Sequence, residues 1–196
     1  MSDFEALYRQ SADPWQVRTS WYEQRKRAVL LACLPRARYG RILELGCGNG
    51  EMTRHLAVRC DALVAVDSSA TAISLCEQTL ARDGLRNTST HVARLPEAWP
   101  VDAGQRFDLI VVSELAYYIA EADLPSFLAR CAAMLGEHGE WAMCHYSKDL
   151  EGRPQPTAAL HGRVDELGGL SKAVRHEDER FMIDVWRRAD PAGPAA

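Results

Sequence analysis

Short apolar runs alternate along this chain with stretches that place apolar residues at helical spacing. Arg41-Ile42-Leu43-Glu44-Leu45 reads as a buried strand, since a brief apolar run bounded by turn residues suits a strand covered on both faces. Ala62 to Val66, ending at Asp67, and Phe107 to Val112 read the same way, with Trp141 to Cys144 a further run and Thr88 to Val92 a weaker one. Between the strands, Met52 and Leu56 share one face of a helix predicted over Glu51 to Arg59. Ser69 to Ala81 predicts a helix stopped by Asp83-Gly84, and Asp123 to Leu135 another, broken near Gly136 and Gly139. Near the start, Phe4, Tyr8 and Trp15 mark a first helical segment broken by Asp13-Pro14. Ser20-Trp21-Tyr22-Glu23 has the capping-box spacing, and the helix it opens runs to Leu34, where Pro35 stops it. Ser147 to Thr157, with Pro154 and Pro156, reads as a loop. Lys172 to Val174 and Phe181 to Trp186 read as a hairpin around the polar His176-Glu177-Asp178-Glu179.

Strands alternating with helices imply right-handed βαβ units. The expected fold is α/β: a Rossmann-like, doubly wound, mostly parallel sheet of seven strands with an antiparallel C-terminal strand, in three α/β/α layers. One domain is expected over 1–196, with an N-terminal helical lid (1–36), a cofactor-binding core (37–146) and a loop plus hairpin (147–196). In such sheets the ligand lies beyond the carboxyl ends of the strands, here just after Leu45, Val66, Val92, Val112 and Cys144.

Composition narrows the function classes. A chain of 196 residues with 47% hydrophobic and 26% charged residues has the ordinary composition of a globular domain with a real core. The net charge of -4 argues against a nucleic-acid substrate, which needs a basic face. The acidic MSDFEALYRQ start lacks a signal peptide's apolar region, and no run approaches a bilayer span, so a cytoplasmic protein without membrane attachment is expected, as monomer or homodimer. The six cysteines, Cys33, Cys47, Cys60, Cys76, Cys131 and Cys144, form no CxxC pair, and reduced, mostly buried thiols are expected. His176 among acidic residues reads as a solvated hairpin tip, and no metal is expected.

The chemistry starts at Glu44-Leu45-Gly46-Cys47-Gly48-Asn49-Gly50, between a strand and a helix. Gly46, Gly48 and Gly50 let the backbone turn tightly and a ligand come close, with Cys47 contributing its backbone and small size. The helix start beyond offers unpaired N–H groups. A dinucleotide loop requires G-x-G-x-x-G, but counting from Gly46 the sixth position is Glu51, and from Gly48 it is Thr53. The loop instead has the acidic-x-Gly-x-Gly-x-Gly form shared by class I methyltransferases. Their cofactor, S-adenosylmethionine, carries ammonium and sulfonium cations and no phosphate, which suits Glu44. Asp67, followed by Ser68, stands where a carboxylate accepts both ribose hydroxyls. After the third strand many relatives place an Asp for the adenine amino group. Ala93-Arg94-Leu95 stands there instead, leaving backbone groups to read the adenine.

Asp13-Pro14-Trp15, Ser20 through Arg27, Leu43 through Gly50, and Phe107 through Tyr118 together resemble the NodS-type methyltransferases, relatives of a rhizobial nodulation N-methyltransferase. The resemblance spans roughly residues 1 to 145. It implies the same fold and cofactor, with S-adenosylhomocysteine as product, and a small-molecule acceptor. The type member methylates the free amine of a deacetylated chitooligosaccharide, so an amine on a sugar or sugar-like molecule is favoured. The alternatives are O-methylation of another small metabolite and a cofactor-binding protein without turnover. A nicotinamide oxidoreductase is disfavoured by Glu51 and Thr53.

Methyl transfer from a sulfonium is an in-line displacement with an already activated leaving group, so the protein must align a nucleophile and exclude water. Ser113, Glu114, Tyr117 and Tyr118 follow the fourth strand and His145 the fifth. His145 or Glu114 is expected to accept or orient the nucleophile's proton, with a tyrosine hydroxyl positioning it, while one of the two tyrosines packs in the core. Ser113 and Glu114 also border the cofactor. Tyr8, Trp15, Trp21, Tyr22, Arg25 and Lys26 would form a lid over cofactor and substrate, Arg25 or Lys26 pairing with the methionine carboxylate. The plainer alternative is that the N-terminal aromatics only pack their helix on the sheet.

Overall fold

The computed structural model describes residues 3–148 and 154–189, so the expected loop at 147–157 falls partly outside the described residues. Seven strands form one sheet: β1 (Tyr39–Leu45), β2 (Cys60–Asp67), β3 (Thr88–Val92), β4 (Phe107–Ser113), β5 (Leu135–Tyr146), β6 (Leu170–Glu177) and β7 (Phe181–Arg188). Their order is β3-β2-β1-β4-β5-β7-β6. The first five are mutually parallel, and β7 runs antiparallel to β5 on one side and to β6 on the other. The expected doubly wound sheet with an antiparallel C-terminal strand is therefore the observed one. The helices are α1 (Phe4–Gln10), α2 (Trp21–Cys33), α3 (Glu51–Ala57), α4 (Ala70–Arg82), α5 (Leu124–Met134) and α6 (Thr157–Asp165), with a 3₁₀ turn at Ala116–Tyr118.

Both faces of the sheet are covered, which is why its central strands read as continuous apolar runs. One core joins Phe127, Leu128 and Met134 of α5 and Leu160 of α6 to one sheet face, and the other joins Leu30, Leu56 and Ile73 to the opposite face. Burial of such side chains, about 1.5–3 kcal/mol each, is the main stabilising term.

Three local expectations change. Ser20 caps α2 by position but makes no side-chain capping bond, and the Glu23 side chain bonds Lys26 instead of returning to the cap. Leu135 opens β5 rather than ending a helix, pairing with Phe107 before the register shifts to Leu109 opposite Glu140. Gly139 permits this crossing, since a Cβ there would sit 2.9 Å from the Phe107 carbonyl oxygen. Finally, α6 arises where no element was expected. Pro156 stands at its start, and Leu160 and Val164, four apart, bury one face. Among the described residues no helix is long and apolar enough to cross a membrane.

Candidate active site

The carboxyl ends of β1, β2 and β4 open on a cavity of about 920 Å³, at the upper end of the range for small-molecule sites. Its wall includes Tyr8, Trp15, Lys26, Glu44, Gly46, Cys47, Gly48, Asp67, Ser68, Ala93, Arg94, Leu95, Ser113, Glu114, Tyr117 and Tyr118, the residues the sequence marked as candidates. Gly50, Arg25 and His145 are not on the wall among the described residues.

At one end is the glycine loop. Gly46, Gly48 and Gly50 have φ of 83°, 54° and 82°, which side chains rarely adopt. A Cβ on Gly48 would meet the Tyr8 hydroxyl at 2.5 Å, so the loop and α1 approach closely only because that residue is glycine. Gly50 does other work than expected: a Cβ there would meet the Cys76 backbone at 2.9 Å, so it allows α3 to pack on α4 and is not on the cavity wall. Glu51, at the start of α3, is buried and lies 3.6 Å from Arg18, 3.6 Å from Arg27 and 3.4 Å from Arg54. A carboxylate clamped by arginines at that helix start leaves no place for a pyrophosphate.

Glu44 lies on the wall and is only 2% exposed. The Thr53 hydroxyl serves its carboxylate, but Oε2 has no hydrogen-bond partner among the described residues, and burial pushes the carboxyl up to about 8. Asp67 is oriented by backbone amides: Oδ2 accepts from Gly48 N–H at 2.9 Å and Oδ1 from Ser69 N–H at 2.9 Å. Burial raises its carboxyl, and those amides work against the rise. The Ala93 N–H, expected to be available to an adenine, donates to the Asp67 carbonyl at 2.9 Å, which leaves Arg94 and Leu95 as the wall on that side.

The N-terminal segment covers this end. Glu5 on α1 accepts from the Ser69 and Thr71 hydroxyls, both at 2.7 Å, and from the Thr71 N–H at 3.1 Å. The Ser69 hydroxyl, then Thr71, hold the Glu5 carboxyl at about 2. Asn49 of the loop donates to the Ala12 carbonyl at 3.1 Å. The Asp13-Pro14-Trp15 segment is thus tied directly to the glycine loop, and the Trp15 ring meets Tyr8 edge-on at 5.5 Å.

The other end is built from side chains of separate elements. Glu114 follows β4 with a φ of 54°, a strained conformation for a non-glycine residue. Lys26 of α2 donates to its Oε1 at 2.7 Å and to Glu23 at 3.0 Å. The Tyr117 hydroxyl and the Tyr146 N–H both donate to Oε2 of Glu114. Burial alone would lower the Lys26 ammonium, but Glu114 above all overcomes it and holds the group above its ordinary value. Tyr117 packs in the core yet places its hydroxyl on Glu114, while Tyr118 is half-buried and meets Phe4 edge-on at 5.1 Å. Tyr22, expected in the lid, also lines the wall, together with Cys144, Tyr146 and Arg180, which the sequence did not mark as site residues.

Two expectations are corrected. Arg25 pairs with Asp178 at the hairpin tip instead of facing a ligand. His145 is 0% exposed and sits behind the wall. Its Nε2 accepts the Ala116 N–H at 3.2 Å, and its Nδ1 lies 2.9 Å from His161 Nε2, whose Nδ1 lies 2.9 Å from Asp184 Oδ2. Because Nε2 of His145 accepts, its proton is on Nδ1, and the chain runs as two donated hydrogen bonds ending on a carboxylate. This buried relay supports the 3₁₀ turn that carries Tyr117 and Tyr118. His161 and Asp184 lacked a sequence signal because their elements, α6 and β7, meet β5 only in the folded chain.

A family described as a methyltransferase domain matches residues 42–139. A solved protein from Pseudomonas syringae, described as a methyltransferase, is 40% identical, with a TM-score of 0.73 over 86% of this chain and all of that one (100%). The chain belongs to the class I S-adenosylmethionine-dependent methyltransferases. Nodulation protein S of Azorhizobium caulinodans is 27% identical over 131 residues, 66% of this methyltransferase and 60% of that protein, so the match spans less than two thirds of the relative's length. The N-methyltransferase NodS from Bradyrhizobium japonicum WM9, solved with S-adenosylhomocysteine, shares the fold at a TM-score of 0.82 and 22% identity, covering 94% of this chain and 97% of that one.

The family's cofactor fits the residues present. The unpartnered Oε2 of Glu44 is a buried acceptor suited to an ammonium, and Asp67, fixed by two amides, keeps lone pairs for a ribose diol.

Proposed function

We propose that this methyltransferase acts on the amine of a small sugar or sugar-like acceptor. When bound, S-adenosylmethionine supplies a methyl group on a sulfonium, already primed for displacement. Glu44 and Asp67 hold its amino-acid and ribose parts, with Arg94 and Leu95 beside the adenine. The N-terminal segment, latched by Glu5, excludes water. Glu114 carries the reading: it lines the cavity at a strained backbone position, with its carboxylate set by Lys26, Tyr117 and the Tyr146 amide. A carboxylate held in this way orients an amine and takes up the proton it sheds. Tyr118 is the remaining hydroxyl of the pair available to position the acceptor.

The test is methyl transfer to a panel of aminosugars, small amines and their hydroxyl counterparts, with products identified by mass spectrometry. Amines are expected to react, and Glu114→Gln is expected to lower turnover about 100-fold while leaving S-adenosylhomocysteine affinity unchanged. Methylation confined to the hydroxyl compounds, or none on any acceptor, overturns the reading.

A further inference from the structure

The cavity wall holds a cation that the cofactor contacts do not use. Lys26 is committed to Glu114 and Glu23, and Arg27 lies 3.6 Å from Glu51. Arg180, in the turn between β6 and β7, differs: among the described residues no carboxylate lies within 4.0 Å of its guanidinium. Its neighbours in the turn are spoken for, Asp178 by Arg25 and Glu179 by Lys148 at 3.8 Å. The Arg180 backbone is fixed, its carbonyl accepting from the Ser147 N–H at 2.8 Å and its N–H donating to Asp178 at 3.0 Å. The guanidinium lies over two rings, 4.0 Å from the Tyr22 centroid and 5.8 Å from that of Tyr146.

Stacking uses the face of a guanidinium and leaves its N–H edge, which matches a carboxylate or phosphate in a two-point hydrogen bond. We propose that Arg180 is an anion-recognition residue for the methyl acceptor, which carries a carboxylate or phosphate in addition to its nucleophile. This rests on the reading that the cavity takes an amine acceptor and narrows it. Charge decides between the options. Glu114, Glu23 and Lys26 together carry one negative charge, and Arg180 adds one positive charge. An acceptor bearing only an ammonium would bring a second cation beside a guanidinium that has no carboxylate partner among the described residues, whereas a zwitterionic acceptor satisfies Glu114 with its amine and Arg180 with its anion. Tyr22 and Tyr146, whose rings meet edge-on, flank the arginine and lend the wall an apolar surface for the ring or chain between the two charges.

Two measurements on the full chain saturated with S-adenosylhomocysteine test this. The first titrates inorganic phosphate and acetate, which carry no nucleophile, into wild type, Arg180→Gln and Arg180→Lys. Binding by wild type, weakened about tenfold or more in Arg180→Gln and partly kept in Arg180→Lys, supports the assignment. Absent binding, or equal binding by wild type and Arg180→Gln, overturns it. The second replaces S-adenosylhomocysteine by S-adenosylmethionine and compares glucosamine, glucosamine 6-phosphate and glucosaminic acid. The anionic compounds are expected to show at least tenfold higher kcat/KM than glucosamine, an advantage that Arg180→Gln erases, and the better of the two identifies the anion. Equal rates for all three overturn the assignment while leaving the amine reading intact. Anion binding that depends on Arg180 without methylation of any amine keeps the assignment and removes the amine reading.

Discussion

The two ends of the cavity are built by different means. The cofactor end is made mostly of backbone: Gly46 and Gly48 at positive φ, the amides that orient Asp67, and a Glu44 fixed by its place at the end of β1. All of it lies within a few residues of β1 and β2. The acceptor end is made of side chains from five separate places: Lys26 on α2, Glu114 after β4, Tyr117 in the 3₁₀ turn, Tyr146 at the end of β5 and Arg180 in the hairpin. It is further supported from behind by α6 and β7 through His161 and Asp184. A site made of backbone at one strand end tolerates change elsewhere, whereas a site made of remote side chains takes its geometry from the whole fold.

The largest expected effect tests that dependence. His161→Ala leaves the Nδ1–H of His145 and the Asp184 carboxylate without their shared partner and opens a cavity in the core. The expected loss of stability is about 3 kcal/mol, read as a lower urea midpoint. Methyl transfer should fall as the turn carrying Tyr117 loosens, while S-adenosylhomocysteine affinity of the folded protein stays within about twofold, as for well-separated sites. A folded variant that no longer binds S-adenosylhomocysteine would show that the two ends are not separable.

The same division explains what the sequence revealed. Glu44 through Gly50 and Asp67 could be read directly, because a tight turn between a strand and a helix needs glycine locally and the acidic positions follow from strand ends. The sheet was legible for a similar reason, since strands buried on both faces are apolar along their length. Even there, Gly50 looked like a ligand contact and proved to be a packing residue against Cys76, a distinction that depends on where α4 lies. His145 was placed correctly at the end of its strand, but period-two alternation does not say which face of the strand lines a cavity once a turn covers it. Arg25 and Lys26 are adjacent on one helix, and only Lys26 reaches the cavity wall. Tyr146, Arg180 and His161 acquire their roles through contacts between β5, α6 and the hairpin that no local pattern encodes.

The next effect is at the cofactor end. Asp67→Ala removes a carboxylate positioned for two charge-assisted hydrogen bonds to a diol and also frees the Gly48 and Ser69 amides it now orders. Affinity for S-adenosylhomocysteine is expected to fall about 100-fold by calorimetry. The ion pair of Lys26 with Glu114 should be untouched, so the Arg180-dependent anion binding should persist in the variant. A fall of less than about tenfold would mean that the loop backbone alone, without this side chain, defines the cofactor end.

The smallest effect concerns the buried Glu44, and its sign follows from its displaced carboxyl. With its value raised from 4.5 to about 8, the native protein holds a proton there that the unfolded chain has already lost. Between those two values stability therefore falls as pH rises, and it levels off above about 8. A ligand ammonium at Oε2 reverses the preference by favouring the ionised carboxylate, so binding expels the proton at any pH below that value. Affinity for S-adenosylhomocysteine should consequently rise with pH up to about 8, by at most about tenfold per unit, with proton release seen as a buffer-dependent binding enthalpy. Glu44→Gln, whose amide cannot titrate, should bind more weakly at pH near 8 but show a flat profile. A wild-type profile as flat as that of Glu44→Gln would place the ammonium elsewhere. Glu23, at the acceptor end, would then be the group to vary next, and the boundary between the two ends would move from β1 toward α2.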